Sequence, residues 1–349
     1  MRGAISMDTE QRTRLDWLDV AKGLGIVLVV LGHTERGLVA SGIAPESWRS
    51  GLDFYLYTFH MPLFMFLAGL NVPQSLRAGA RRFILRKLAT IVWPYVLWSM
   101  ILGTVGILLS SHTNNPGDWS DLWRIGWRPI SPFWFLYVIF IYSALVAVTG
   151  VRMVVLGPLS ILAFGLGLIF KNDSLVQQLL HFLIFFVAGA LSATRLQTIQ
   201  ATANESGPWW VAVAMAAWFG ISWAVAAPSD YRYFSAWGLP SALLGTVFVI
   251  ALALNVSGPA RTMLAALGRA SMPIYVMHIL ATAGTRIVLT RLDLTDSPIV
   301  YVVVGTMAGV LAPYAAYRVV RRLRWLPALG FGRNTGSSAT AESASGARH

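Results

Sequence analysis

Long apolar stretches separated by short polar segments run along most of the chain. A transmembrane helix needs about 20 mostly apolar residues, and fewer where neighbouring helices cover it. The pattern therefore predicts an all-α, polytopic transmembrane bundle of about ten helices. They are predicted near residues 19–39, 52–72, 89–111, 133–149, 153–170, 175–193, 208–227, 236–256, 271–290 and 298–320.

The composition supports a membrane protein. The chain of 349 residues is 56% hydrophobic and 12% charged, whereas about 25% of the residues in an average soluble domain are charged. Its 14 Trp and 11 Tyr fit the aromatic belts that anchor helices at both membrane interfaces. Because the chain has no Cys, disulfides, thiolate catalysis and Cys-ligated metals are excluded.

Basic residues outnumber acidic ones and give a formal net charge of +12. They lie between the apolar stretches rather than on a polar domain, so a nucleic acid partner is not predicted. With the N-terminus in the cytoplasm, more than twice as many Lys and Arg fall in cytoplasmic segments as on the opposite side. This bias predicts a multi-pass protein of the cell membrane with both termini in the cytoplasm.

Three regions are predicted along the chain. Residues 1–18 form a cytoplasmic N-terminal segment, residues 19–325 form the membrane domain, and residues 326–349 form a disordered tail rich in Gly, Ser and Ala. The first apolar stretch lacks a secretory cleavage site and carries Lys22, so we interpret it as a retained helix.

The first predicted helix carries ionisable residues at membrane depth, where each charge costs at least about 2.5 kcal/mol. Lys22 and His33 are eleven residues apart, about 1100° of helical rotation, so their side chains project within about 20° of each other. They are separated by about 16 Å along the axis, with Lys22 near the cytoplasmic edge. Glu35 lies roughly on the other face of this helix.

The second predicted helix carries Asp53 near its outer end and His60 about 10 Å deeper on nearly the same face. By this reckoning His33 and His60 lie at one depth, about 10 Å below the outer surface. Pro62 and Gly69 permit a kink and close packing beside them. His278, near mid-membrane on the ninth helix, is either a packing residue or a third member of the site.

Each of these residues also has a structural interpretation. Lys22 can snorkel to the cytoplasmic interface, and His33 and His60 can each be satisfied by a carbonyl or hydroxyl group. The basic run from Arg77 to Lys87 is a topology determinant or an anion-binding rim for a phosphate-bearing donor. His181 has no charged companion, so we interpret it as structural.

Acyl transfer across a membrane needs a base for the acceptor hydroxyl, a cation for a phosphate-bearing thioester donor, and a path between them. His33 or His60 can be the base, since a neutral imidazole titrates near working pH. Lys22 and the basic run from Arg77 to Lys87 can bind the donor. A proton-coupled transporter or a lipid-linked-sugar flippase also needs buried His, Asp and Lys, whereas a structural or sensory scaffold leaves their alignment unexplained.

Short motifs along the chain add a resemblance to a known family. The stretch Leu15 to His33 (LDWLDVAKGLGIVLVVLGH) resembles the opening of the acyltransferase 3 family of membrane O-acyltransferases, and most closely its fucose 4-O-acetylase-like branch. The family has a basic residue, ten residues and then His at this place, matched by Lys22 and His33. Ala68 stands where the family usually has Ser. Weaker matches follow in order at Phe59 to Gly69 (FHMPLFMFLAG), Arg86 to Tyr95 (RKLATIVWPY), Phe133 to Leu136 (FWFL) and Tyr275 to His278 (YVMH).

The resemblance implies a membrane O-acyltransferase that uses acetyl-CoA or another acyl-CoA as donor, without a metal. The expected acceptor is a hydroxyl of a cell-surface carbohydrate or glycolipid, and membrane lipids surround the protein. His33 is the expected catalytic residue, with His60 assisting or orienting the substrate. The donor is expected to contact Lys22, Arg86 and Lys87, with Asp19 orienting Lys22. The other expected supporting residues are Glu35, Asp53 and His278.

Overall fold

A computed structural model describes residues 2–110, 117–170, 174–196, 198, 200 and 207–332. Within that part of the chain the regular structure is helical, without a strand. The helices are α1 (Arg2–Ala40), α2 (Phe54–Leu70), α3 (Val72–Leu76), α4 (Ala80–Lys87), α5 (Trp93–Leu108), α6 (Trp119–Arg124), α7 (Trp134–Thr149), α8 (Met153–Gly167), α9 (Leu175–His181), α10 (Leu183–Ser192), α11 (Trp209–Ala226), α12 (Gly238–Asn255), α13 (Gly258–Arg269), α14 (Ser271–Arg291) and α15 (Pro298–Arg322).

Helices occupy all ten regions in which spans are predicted, and the all-α fold class is confirmed. Among the described residues, seven helical segments are long and apolar enough to cross a membrane, so the protein is a multi-pass membrane protein. Three of the predicted spans are shorter, with 17 residues in α2, 16 in α7 and 15 in α8. The count of ten spans and the cytoplasmic placement of both termini stay predictions.

Two of the long segments begin before their predicted first residue. α1 runs without interruption from Arg2 to Ala40, so the predicted N-terminal segment continues directly into the first span. α4, a π-helical turn over Leu88–Val92, and α5 form one continuous helix from Ala80 to Leu108. The basic run of α4 is therefore the first part of the third span.

Glycines bring the helices of the site close together. A Cβ on Gly268 of α13 would lie 1.7 Å from the carbonyl oxygen of Asp19 in α1. A Cβ on Gly69 would lie 2.1 Å from the carbonyl oxygen of Phe186, so α2 and α10 touch through their backbones. Small residues permit such approach in membrane helices, and the close packing predicted at Gly69 is confirmed.

The segment between α5 and α7 folds back along α5. A Cβ on Gly103 of α5 would lie 2.5 Å from the side chain of Leu122 and 3.0 Å from that of Ile130. Tyr95, closer to the start of α5, donates a hydrogen bond to the carbonyl oxygen of Ile125. Because these three contacts lie along a membrane-spanning helix, residues 117–130 run beside α5 within its span.

The same segment ends beside the second turn of α14. The Tyr275 hydroxyl of α14 donates to the carbonyl oxygen of Pro132 at 2.5 Å. The Tyr137 hydroxyl, in the first turn of α7, donates to the carbonyl oxygen of Gly126 at 3.0 Å. α7, which has 16 residues, thus begins against α14 and against the segment that precedes it.

The described part of the chain continues seven residues past the predicted membrane domain. The indole N–H of Trp93 donates to the carbonyl oxygen of Ala328 at 2.9 Å, and that of Trp98 donates to Leu329 at 3.2 Å. The ring of Phe331 stacks on Trp98 with 5.8 Å between centroids. Residues 326–332 of the predicted tail are therefore packed against α5, and residues 333–349 lie outside the described residues.

Candidate functional site

The end of α1 that carries Lys22, here called the Lys22 end, holds an ion pair. The Lys22 ammonium lies 3.4 Å from the Asp19 carboxylate, one turn earlier on the same helix. Arg269, the last residue of α13, approaches the other oxygen of Asp19 at 3.8 Å. The contact predicted between Asp19 and Lys22 is therefore present, and a second cation joins it.

A narrow cavity of about 160 Å³ extends inward from Lys22 and is called the Lys22 cavity. Its walls are mostly apolar, and they include Ala68. Tyr275 lies at its inner end, one turn of α14 before His278. The residues lining it are Lys22, Ile26, Val29, Met61, Phe64, Leu67, Ala68, Asn71, Phe135, Ile139, Ser271, Met272 and Tyr275.

A pair of histidines lies at the centre of the bundle. The rings of His33 in α1 and His278 in α14 are 5.0 Å apart between centroids and inclined by 53°. His278 is fully buried, whereas His33 lines a second cavity. The structure places His278 beside His33, and its membership of the functional site stays a prediction.

His60 joins this cluster through an aromatic ring. Tyr57, one turn before His60 in α2, contacts His60 edge to face with 4.5 Å between ring centroids. The same tyrosine lies 6.2 Å from His33, again edge to face. The two histidines predicted at one depth are therefore brought together, with Tyr57 between them.

The tautomers of two histidines follow from their hydrogen bonds. Nδ1 of His60 lies 2.6 Å from the carbonyl oxygen of Leu56, and Nδ1 of His278 lies 2.6 Å from that of Tyr275. A carbonyl only accepts, so each Nδ1 carries the proton and each Nε2 presents a lone pair. Neither Nε2 has a hydrogen-bond partner within the described part of the chain.

An ion pair with aromatic faces lies one turn beyond His33. Arg36 donates two hydrogen bonds to the Asp53 carboxylate, of 2.5 and 3.0 Å, and one of 3.3 Å to the Tyr233 hydroxyl. Its guanidinium carbon lies 3.2 Å above the ring centroid of Tyr57. This bidentate, stacked geometry needs the planar guanidinium, and it fixes the ring that touches both His33 and His60.

A large cavity of about 900 Å³ opens beyond His33 and is called the Arg36 cavity. Charged side chains from four parts of the chain line it, and segment 117–131 supplies one wall. Its volume is near the upper end of the range of about 300–1,000 Å³ for ligand pockets. The charged and histidine side chains lining it are His33, Arg36, Asp53, Asp118, Asp121, Arg124, Arg128 and Arg286.

Some predicted site residues lie apart from this arrangement. Neither Arg86 nor Lys87 lines either cavity; Arg86 is exposed, and the Lys87 ammonium sits 5.2 Å from the ring centroid of Phe83. Glu35 is fully buried and lines neither cavity. His181 is enclosed by aromatic rings, the nearest being Phe164 at 4.9 Å, as its structural interpretation predicts.

Sequence reasoning missed Arg36, Tyr57 and Tyr233. Arg36 counted only as a charge outside the membrane, although it follows His33 by three residues and therefore lies near the same helix face. Tyr57 could have been found in the same way, since it precedes His60 by three residues and lies near the same face of α2. For Tyr233, in the segment between α11 and α12, no local signal marks the contact.

The apolar helices and the buried polar cluster between two cavities together define a multi-pass membrane protein with an enzyme-like site. A family model for the acyltransferase 3 family, described as an acyltransferase domain, matches residues 15–318. The chain therefore belongs to the acyltransferase 3 family, and the family predicted from its motifs is confirmed.

The chain is also similar to two nodulation proteins. The chain is 29% identical over 207 residues to nodulation protein NolL of Sinorhizobium fredii, which covers 58% of this chain and 54% of that protein. It is 28% identical over 148 residues to nodulation protein NolL of Mesorhizobium japonicum, covering 42% of this chain and 38% of that protein. The matches thus span about half the length of these relatives or less. No solved structure matches the chain significantly.

Proposed function

We propose that the protein is a membrane O-acyltransferase that moves an acyl group, specifically acetyl, from acyl-CoA to a hydroxyl of a cell-surface or lipid-linked carbohydrate. The observation that carries the proposal is the His33–His278 pair, which lies between the inner end of the Lys22 cavity and the floor of the Arg36 cavity. Family membership supports the acyl transfer. The donor, the acceptor and the residue roles are the proposal's own.

The donor enters from the Lys22 end, which the proposal takes as cytoplasmic because the charge distribution predicts it. Lys22, held by Asp19, contacts a phosphate of the donor, and the thioester arm occupies the apolar Lys22 cavity. The distance of about 16 Å from Lys22 to His33 along α1 suits an extended arm that brings the thioester to the histidines. Arg86 and Lys87, outside both cavities, attract the anionic donor from a distance.

His33 is the base of the proposed reaction. It takes the proton of the acceptor hydroxyl, whose oxygen attacks the thioester carbonyl carbon. The new C–O bond forms, the C–S bond breaks, and the proton passes from His33 to the leaving thiolate. Nε2 of His278 has no hydrogen-bond partner among the described residues, so its lone pair is available to accept a hydrogen bond from the second ring nitrogen of His33 during the reaction and thereby orient the base. His60 assists from the Tyr57 side.

The acceptor occupies the Arg36 cavity. Sugar hydroxyls both donate and accept hydrogen bonds, so they suit a wall that carries carboxylates and guanidinium groups together. The Arg36–Asp53 pair is partly buried and its two groups hydrogen-bond to each other, and it therefore shapes the cavity floor. The volume of about 900 Å³ leaves room for more of a glycan than one reacting ring.

The test measures transfer from radiolabelled acetyl-CoA to a panel of glycans and alkyl glycosides by the purified protein in proteoliposomes. We expect label in an acceptor, and a loss of at least about 10²-fold in His33→Ala. His181→Gln is the matched control, because it changes a buried histidine that lines neither cavity. Full transfer by His33→Ala at normal protein level would refute the mechanism.

A proton-coupled transporter or lipid-linked-sugar flippase is the second candidate. Cavities on opposite sides of a buried polar cluster favour it, since transporters also hold their site near the membrane midplane. The same proteoliposomes separate the two functions. Movement of an unmodified glycan or lipid-linked sugar across the membrane, with no labelled product in any panel member, would favour transport.

A further inference from the structure

The segment from Gly117 to Ser131 has two dissimilar faces. One face lines the Arg36 cavity through Asp118, Asp121, Arg124 and Arg128. The other carries Trp119, Trp123 and Trp127, called here the tryptophan face, whose exposed fractions are 56%, 82% and 66%.

The spacing of these tryptophans sets their direction. Trp119 and Trp123 are four residues apart in α6 and project within about 40° of each other. By the same rotation of about 100° per residue, the side chains of Asp118, Asp121 and Arg124 point on average to the opposite side of the segment. None of the three tryptophans lines the Arg36 cavity, so a ligand held in the cavity does not meet the tryptophan face.

The depth of the segment decides what that face meets. Leu122, next to Trp123, lies against Gly103 of α5, five residues before the last residue of that span. Five residues correspond to about 7.5 Å of helix. Trp123 therefore lies below the end of the membrane-spanning helix, at a depth where indole rings favour the boundary between lipid headgroups and acyl chains.

We infer that the tryptophan face binds the lipid bilayer and holds segment 117–131 in the membrane as a thin side wall between the lipid and the Arg36 cavity. The partner is the headgroup and upper acyl-chain region of the leaflet at the Arg36 end. In a segment so short, with a charged opposite face, the two indoles of α6 and that of Trp127 supply the apolar surface that such interfacial attachment needs.

The inference has a consequence that rests on the proposed function. The wall of the acceptor cavity is then attached to the leaflet. An acceptor whose lipid anchor stays in that leaflet has only this wall between its glycan and the cavity. A lipid-anchored glycan is then the acceptor class that suits the cavity best. The lipid contact itself does not depend on the reaction and is tested without it.

The absence of Cys makes a direct test possible in the full chain. Single-Cys variants at Trp119, Trp123 and Trp127 are labelled with bimane in phosphatidylcholine nanodiscs. Quenching is measured with doxyl-labelled phosphatidylcholine and, separately, with aqueous iodide. Three positions are used so that one misfolded variant, recognised by gel filtration, does not end the test.

Control positions define the two extremes. Leu162→Cys changes an exposed apolar position of α8 and reports lipid; Asp296→Cys changes an exposed loop residue and reports water. Arg128→Cys is the matched control, since it lies on the same segment but lines the cavity. We expect the tryptophan positions to resemble Leu162, with doxyl quenching several-fold above that at Asp296, and Arg128 to resemble Asp296.

Two results would overturn the inference. Iodide quenching without doxyl quenching at the tryptophan positions would show that the face meets water, as expected of a glycan-binding platform. Equal doxyl quenching at Arg128 and at the tryptophan positions would show that the segment does not separate lipid from cavity. Neither result depends on acyl transfer, so failure of the inference and failure of the proposed function are distinguishable.

Discussion

The Lys22 cavity and the Arg36 cavity approach the same histidine pair but differ in size and chemistry. The first has about 160 Å³ and mostly apolar walls, with Lys22 as the charged residue among the described residues that line it. The second has about 900 Å³, and charged residues of both signs line it. A narrow apolar channel fits one extended chain, whereas a wide polar cavity fits a ligand with many hydrogen-bonding groups.

The difference shows how one site can serve two dissimilar substrates. Burial of His278 and His60 leaves each with a lone pair in a fixed direction, because the backbone holds the opposite ring nitrogen. The Arg36–Asp53 pair keeps the wide side ordered where it meets the histidines. Substitutions at the centre, on the wide side and on the narrow side should therefore have separable effects.

Apart from replacement of His33 itself, the largest effect is expected at the centre, from His278→Ala. Loss of the acceptor for His33 should lower kcat by about 10²-fold, the lower end of the range for general acid–base groups, while KM for acetyl-CoA stays within a factor of about two. Steady-state kinetics in proteoliposomes measure both constants. His278→Gln retains a side-chain acceptor and should recover part of the rate, as should added imidazole with His278→Ala.

A purely structural role for His278 predicts a different pattern. In that case His278→Ala and His278→Gln would both lower the amount of folded protein without changing kcat per folded molecule, and added imidazole would have no effect. That outcome would remove His278 from the proposed reaction.

On the wide side, Arg36→Ala should destabilise the protein. It leaves the Asp53 carboxylate, 8% exposed, without its cation. Breaking a buried pair costs about 3–5 kcal/mol, and partial exposure of Arg36 reduces this to about 2–3 kcal/mol. Thermal unfolding in nanodiscs should show the loss. Activity should fall as well, since Tyr57 loses the guanidinium that stacks on it.

The double variant Arg36→Ala with Asp53→Asn isolates the cause. Removing the unpaired charge of Asp53 should restore a large part of the lost stability, which would appear as a coupling energy in the double-mutant cycle. If the two single losses simply add, Arg36 and Asp53 are not paired in the membrane.

On the narrow side, Lys22→Ala should raise KM for acetyl-CoA by about tenfold and leave kcat within a factor of about two. Hydrogen bonds to charged groups contribute about 1.5–3 kcal/mol, and partial exposure of Lys22 favours the lower value. Lys22→Arg preserves the charge and should stay near wild type. An unchanged KM in Lys22→Ala would support simple snorkelling instead.

The positions of residues within one helix could be predicted from the sequence, because each residue of a helix is rotated by a fixed angle from the one before it. The alignment of Lys22 with His33, and the depth shared by His33 and His60, both follow from spacing within one helix. The sequence could not decide between the two interpretations of His278, since spacing within a helix does not tell which helix packs beside α1. The glycines Gly23 and Gly268 favour close packing in general, but the partner of each appears only in the assembled bundle.

Two features escaped the sequence for other reasons. The partners of Arg36 are Asp53, just before α2, and Tyr233, which is 197 residues away. Counting Lys and Arg on each side of the membrane therefore cannot identify Arg36 as a site residue. α6 has six residues, well below the length of a span, and its polar face resembles an ordinary loop. Only the contacts of Leu122, Ile125 and Ile130 with α5 reveal that this segment packs along that helix.

The smallest effect is expected in the wall of the wide cavity, at Asp118. Its carboxylate accepts the backbone N–H of Ser120 at 2.8 Å, and Asp121 accepts the N–H of Asp118 at 3.0 Å, so the two cap α6. Asp118→Ala should fray the first turn of α6, whereas Asp118→Asn keeps an acceptor and should resemble wild type. Hydrogen exchange of the peptide covering residues 119–124 measures the fraying, with the peptide from α5 as the internal control.

Acid should mimic Asp118→Ala. The hydrogen bonds from Ser120 hold the pKa of the Asp118 carboxyl below its ordinary value of 3.8. A group with a lowered folded pKa stabilises the fold above its ordinary pKa and loses that contribution as the pH falls through the lowered one. Bimane at position 123 should therefore report a change in the wall only in that acidic range. A change near neutral pH would assign the response to another group, and no acid response would mean that the cap does not hold the wall.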